Sequence, residues 1–193
     1  MEKNQTGQGE DGRALVAAAV MLGASPAIGE RMEAHGKYKL QCHAYEGGPL
    51  LWEEDIDNLV TTVGKNDMLD KYLAGSAYTA AWYIGLISAT GYTTGPAVGD
   101  TMASHTGWAE DVAYTQGARP TTAWNAAASG SKSLSAGAVF TMNATTTIKG
   151  CFLTSVSTKS GTTGILFSAG LFTGGDQPVV SGNTLTVSYT ASV

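Results

Sequence analysis

Charge is scarce in this chain. Lys, Arg, Asp and Glu make up 14 % of its 193 residues, against roughly 25 % in an ordinary soluble domain. There is no dense basic run, and a net charge of −5 argues against phosphate contacts as the main work of the protein. Cysteine is rarer still. Cys42 and Cys151 lie far apart, show no metal-ligand spacing, and receive no support from sequence for a disulfide. The histidines His35, His43 and His105 are scattered, with no pair at helical metal spacing. The chain lacks a G-x-S-x-G nucleophile elbow, and Gly174-Gly175-Asp176 does not follow the phosphate-loop pattern. The apolar run Ala14 to Gly23 is about half the length that spans a bilayer. The polar, acidic segment before it does not resemble the short basic start of a secretory leader. These absences predict no catalytic residue, no cofactor, no metal, no nucleic-acid partner and no membrane span.

What the chain has is Gly, Ala, Ser and Thr. A hydrophobic share of 43 % and a mean hydropathy of −0.01 exclude wholesale disorder. The length suits one domain, or one domain plus an arm, with enough chain to bury a core without staples. The charge is also uneven. Seven basic and fifteen acidic residues precede Val112, a net of −8. Four basic residues (Arg119, Lys132, Lys149, Lys159) and Asp176 alone follow, a net of +3. This reads as neutral, solvated faces, or as charge-complementary packing between copies. A weakly charged hydroxyl and alanine surface is common in β-rich proteins packed against neighbours, and it predicts a homo-oligomer, a homotrimer above other states.

Residues 1–36 read as an arm of short helices, with Ala14–Leu22 helix-prone, Ser25-Pro26 a helix start, Ile28 and Met32 on one face, and Gly36 a C-cap. Leu15, Val16, Val20, Met21 and Leu22 can cover one side of that arm and are the candidate interface residues. They anchor the protein to its assembly in this reading; the alternative is that they plug its own sandwich. From Lys37 the period becomes two, with Tyr38, Leu40, Cys42 and Ala44 on one face. Asn58–Val63 is strand-like, and Asn66 caps a short helix carrying Met68, Leu69, Tyr72 and Leu73, closed by Gly75. Tyr78–Ile87, with Ala80, Trp82, Ile84 and Leu86 inward, reads as a central strand. Trp108–Ala113 and Ala118–Trp124 read as irregular or short edge segments. Ala138–Met142, Thr146–Thr154, Ile165–Phe172 and Thr184–Thr190 are four strands; in the last, Leu185, Val187 and Tyr189 face inward and Thr184, Thr186 and Ser188 outward. The whole predicts a mostly β fold: an antiparallel, jelly-roll-like β-sandwich over 37–193 with a short helical N-terminal arm.

Few side chains suggest chemistry. Glu53, Glu54, Asp55 and Asp57 are acidic enough for Ca²⁺ or Mg²⁺ but lack a glycine-punctuated loop, and they read as a solvated edge. His105, just before Trp108, Glu110 and Asp111, offers a His/acid pair with no nucleophile to go with it. Trp82 reads as core. Trp108 and Trp124 are the better candidates for exposed contacts, with core or interface packing the preferred reading.

Several strings carry a resemblance. They are Asn58-Leu-Val-Thr-Thr-Val-Gly-Lys-Asn-Asp-Met-Leu-Asp-Lys-Tyr-Leu-Ala-Gly75, Ala80-Ala-Trp-Tyr-Ile-Gly-Leu86, Gly99-Asp-Thr-Met-Ala-Ser-His-Thr-Gly-Trp-Ala-Glu-Asp111, Lys159-Ser-Gly-Thr-Thr-Gly-Ile-Leu166 and Gly182-Asn-Thr-Leu-Thr-Val-Ser-Tyr-Thr190. As a set they resemble uncharacterised virion proteins of tailed bacteriophages, over roughly Gly36 to Thr190. The resemblance implies a structural viral protein resident in the virion. Its partners would be copies of itself and the major capsid protein or other virion proteins, and it supplies no catalytic residue. The expected function is capsid decoration, a cement protein that stabilises the head. The alternatives are a tail, head-fibre or receptor-binding component, with a recognition tip built from Thr90–Pro96 and Ser155–Gly164, and a carbohydrate-binding module using Trp108 or Trp124.

Overall fold

The computed structural model describes residues 33–78, 81–121 and 123–193. The interface residues Leu15, Val16, Val20, Met21 and Leu22, the helical arm around them, Ile28, Met32 and Ala80 lie outside the described residues.

Two antiparallel sheets face one another, so the chain is a mostly β, sandwich-type protein. In the first, β1 (His35–His43) runs between β2 (Leu50–Asp57) and β11 (Thr184–Ser192), and β11 also carries β6 (Ser131–Ser133) and β7 (Ala138–Thr141). The alternation of β1 and β11 fixes the register: Tyr38 sits opposite Tyr189, Leu40 opposite Val187 and Cys42 opposite Leu185. All six are buried, while Lys37, Lys39 and Ser188 face water. A one-residue slip would exchange these two sets, so the register is strongly specified.

The second sheet has the order β3 (Leu59–Val60), β9 (Leu166–Leu171), β8 (Thr146–Thr154), β4 (Tyr83–Ser88), β5 (Glu110–Asp111). The short β10 (Gln177–Val179) continues along β8 where β9 leaves it. This sheet is covered on both faces. Ile84, Leu86, Cys151 and Leu153 enter the core between the sheets. Ile87, Phe152, Leu166 and Ala169 point the other way, beneath Met102 and Trp108 from the long β4–β5 connection. The run Tyr83–Ile87 therefore is apolar on both faces because both faces are dry.

Three expectations change. Gly36 is not a helix C-cap; it lies inside β1 opposite Ala191, where a Cβ would fall 2.6 Å from the Thr190 carbonyl and 2.7 Å from the Tyr189 hydroxyl. Close backbone approach demands glycine there. The helix α1 (Thr62–Leu73) starts earlier than Asn66: Thr61 is the N-cap, its Oγ1 accepting from the Gly64 amide at 3.1 Å. Strand structure in Asn58–Val63 is thereby limited to Leu59–Val60. The acidic run is a solvated edge, as expected: it lies in β2, the edge strand of its sheet, with Lys37 3.3 Å from Asp57 and Lys39 2.6 Å from Glu53 across the β1 pairing. Thr184, expected outward, is buried; it lies between His43 and Thr141 on the two neighbouring strands, which wall it in.

Two pairs of polar groups in the core are tied to each other. The Tyr38 hydroxyl lies 2.6 Å from Ser168 Oγ, and Asn58 Nδ2 donates to the Tyr189 hydroxyl at 2.8 Å. The two phenol rings pack with centroids 4.5 Å apart. Burial pushes both phenols up, Tyr189 to about 12. Burial does the same to the free thiols, Cys42 to about 11 and Cys151 further. In the unfolded chain these groups ionise at ordinary values, near 8.5 for a thiol and 10 for a phenol. Their protonated forms therefore stabilise the fold fully below about pH 8.5, and that contribution is lost as pH rises towards 12. Thermal unfolding should show a flat midpoint from pH 6 to 8 and a steep fall above about pH 9. The phenolate absorbance of the buried Tyr38 and Tyr189 should appear only with unfolding. Phenols that all ionise near pH 10 in an intact fold would contradict this account.

Candidate functional site

Three places bear on function: the segment around His105 and Glu110, the acidic strand, and the exposed side of α1.

Glu110 opens the edge strand β5 and faces Ile87 of β4. Its carboxylate is fully engaged. Arg119 donates from Nε to Oε1 at 2.9 Å and from Nη2 to Oε2 at 2.8 Å, and the Ser160 amide donates to Oε2 at 2.6 Å. Arg119 also donates from Nη1 to the Val156 carbonyl at 2.8 Å, and its guanidinium lies 5.2 Å from the centre of the Phe152 ring. The side chains of this pair are 1 % and 6 % exposed. Beside it, Lys159 donates to the Tyr114 carbonyl at 2.7 Å and sits 3.7 Å from the centre of that ring. Burial, reinforced by Glu110, pushes the Tyr114 phenol up. Asp111 is equally occupied, accepting from the Ala113 amide at 2.9 Å and from Thr146 Oγ1 at 2.6 Å.

His105 stacks on Trp108 with centroids 4.1 Å apart, and its Nδ1 donates to the Trp108 carbonyl at 3.0 Å. Trp108 is buried, with Nε1 donating to Asp100 at 2.9 Å. The structure thus brings His105 and Glu110 to one cleft of about 190 Å³, alongside Met102, Trp108, Arg119 and Phe152. Both oxygens of the Glu110 carboxylate are already taken by the guanidinium and the amide. The arrangement ties the 155–164 segment to the edge of the second sheet. Arg119 is the residue that sequence reasoning missed here; its only signal was rarity, as one of four basic residues after Val112.

The tryptophans do not form a platform. Trp108 is inside, and Trp124 is half-buried with its ring 6.0 Å from Tyr189. Ala89 bonds the Thr147 carbonyl at the start of β8, whereas Ser155 follows its end. The acidic strand pairs with lysine and glutamine: Lys39, then Gln41, hold the Glu53 carboxyl below its usual range, and Gln177 donates to Glu54 at 2.8 Å. Among the described residues, no group of three or more His, Cys, Asp or Glu side chains is placed to hold a metal ion. Nor is any helix among them long and apolar enough to cross a membrane.

On α1, Met68 alone of its four expected apolar positions packs on the core. Leu69, Tyr72 and Leu73 are 45 %, 85 % and 73 % exposed, and Tyr78 just beyond is 82 % exposed. Tyr72, Tyr78 and Leu73 are the most exposed of the large apolar side chains among the described residues. No protein-family model matches the chain, and no curated protein matches it.

Proposed function

We propose that this protein is a structural component of a bacteriophage particle, a capsid decoration or cement protein that binds as a homo-oligomer between capsomers on the outside of the head. The observation that carries the reading is the apolar surface of α1 and Tyr78 on a sandwich that is otherwise hydroxyl-rich and weakly charged. Such a surface gains from burial against neighbours and is poorly suited to free solution. The motif resemblance supports the same setting. The burial of Trp108 weighs against the glycan reading. In this proposal Leu15, Val16, Val20, Met21 and Leu22 anchor the chain to its assembly.

The test is incubation of the purified chain with mature heads that lack it. Saturable binding and a higher melting temperature of the head are expected. A chain without Met1–Gly23 should stay folded and fail to incorporate. Heads that show no saturable binding would overturn the proposal, and normal incorporation of the truncated chain would remove the anchor.

A further inference from the structure

The helix α1 has two unlike sides. Successive residues turn by 100°, which places Gly64, Asp67, Met68 and Lys71 on one side. There Gly64 lies against the Phe167 backbone, Met68 packs on the core and Lys71 pairs with Asp67. The opposite side carries Asn66, Leu69 and Leu73 in a stripe spaced by three and then four residues. Lys65 and Tyr72 flank the stripe on one edge and Asp70 flanks it on the other, all of them exposed.

This is the pattern of a coiled-coil seam. Apolar residues three and four apart form the line of contact, and charges on the flanks choose the orientation. In a parallel pair, Lys65 of one helix falls beside Asp70 of the next. In an antiparallel pair, like flanks meet, and Lys65 would share its edge with Lys65 of the other copy. Charge complementarity therefore selects the parallel arrangement. An asparagine in the seam fixes register in such contacts, and Asn66 holds that place. With aromatic side chains contributing 150–250 Å² each when buried, Leu69, Tyr72, Leu73 and Tyr78 offer roughly 600 Å² per copy. The polar flanks bring this close to the roughly 800 Å² per partner of a stable interface.

We infer that α1 is the self-association surface of the protein. Copies pack with their helices parallel around a symmetry axis that runs beside α1, giving a cyclic homo-oligomer. The inference rests on the homo-oligomeric part of the functional reading and gives it a location.

Sedimentation equilibrium on the full chain at micromolar concentration tests it. The expected species is a discrete multiple of the 19.9 kDa of one chain. Leu69→Asp with Leu73→Asp should yield a monomer that still unfolds cooperatively, at a midpoint lowered only by the loss of assembly, since neither side chain belongs to the core. Lys65→Glu alone and Asp70→Lys alone should each weaken assembly about tenfold, and the two together should restore it. A monomeric wild type, an oligomer indifferent to the leucine changes, or a double charge swap without rescue would each overturn the inference. Heads that bind the monomer, with binding lost on Leu69→Asp, would assign the surface to a capsid protein and overturn it too. An oligomer that ignores heads leaves the inference standing and removes the functional reading alone.

Discussion

Replacing Arg119 by methionine is expected to lower the free energy of unfolding by about 3–5 kcal/mol, the usual result of stranding one member of a buried ion pair. For a chain of this length that corresponds to a fall in thermal midpoint of roughly 6–20 °C. The size follows from what remains behind. Glu110 would keep only the Ser160 amide at 2.6 Å and a distant Tyr114 hydroxyl, at 6 % side-chain exposure. The Val156 carbonyl would also lose its donor. Arg119→Lys should recover only part of the loss, because one ammonium cannot give two parallel bonds to a carboxylate and still reach Val156. Arg119→Met combined with Glu110→Gln should be milder than Arg119→Met alone, because no bare charge is left inside. Urea unfolding of the four proteins measures the series. A single Arg119→Met variant as stable as the wild type would show that the pair is not what holds the 155–164 segment.

The parts of this fold that are legible in the sequence are those with one wet face. In β1, Lys37, Lys39 and Gln41 alternate with Tyr38, Leu40 and Cys42, and the structure places them so. In β11 the same logic locates the strand to within two residues. Legibility fails where a tertiary partner outweighs local preference. Glu53, Asp55 and Asp57 are poor strand formers, yet they lie in β2 because Lys37, Lys39 and Gln41 stand opposite on β1. Thr61, Thr62 and Val63 read as strand from their β-branching, but the cap on Gly64 and the seat of that glycine against Phe167 start a helix there. The Glu110–Arg119 tie joins residues nine apart in irregular chain, where no period exists to be read. The exposed stripe of α1 was hidden for a related reason. Leu69, Tyr72 and Leu73 look like core residues until the helix is placed, and then only Met68 reaches the core.

Gly150→Ala should be the most damaging single methyl group in the protein, costing more than about 4 kcal/mol, beyond what most substitutions do. Gly150 lies in β8, the middle of the second sheet, with Ile87 on one side and Leu171 on the other. A Cβ built there falls 2.0 Å from the Gly170 carbonyl oxygen and 2.8 Å from Leu171 Cα. Both are backbone atoms, so no side-chain rotation relieves the clash. β8 and β9 would have to part by more than an ångström where the ladder passes from β9 to β10, with Phe172 bonded to the Lys149 carbonyl at 2.8 Å. Parting them unseats Cys151 and Phe152, which fill the two opposite faces of the sheet. Total stability of a domain is only about 5–15 kcal/mol, so the variant should collect in the insoluble fraction at 37 °C. The control is Gly117→Ala, which adds the same methyl group where nothing lies within 4 Å. That change should be neutral, or stabilising by up to about 1 kcal/mol through the unfolded chain. Calorimetry on whichever variants are soluble gives the comparison. A Gly150→Ala protein that melts within a few degrees of the wild type would mean that β8 and β9 are not as closely apposed as their register requires.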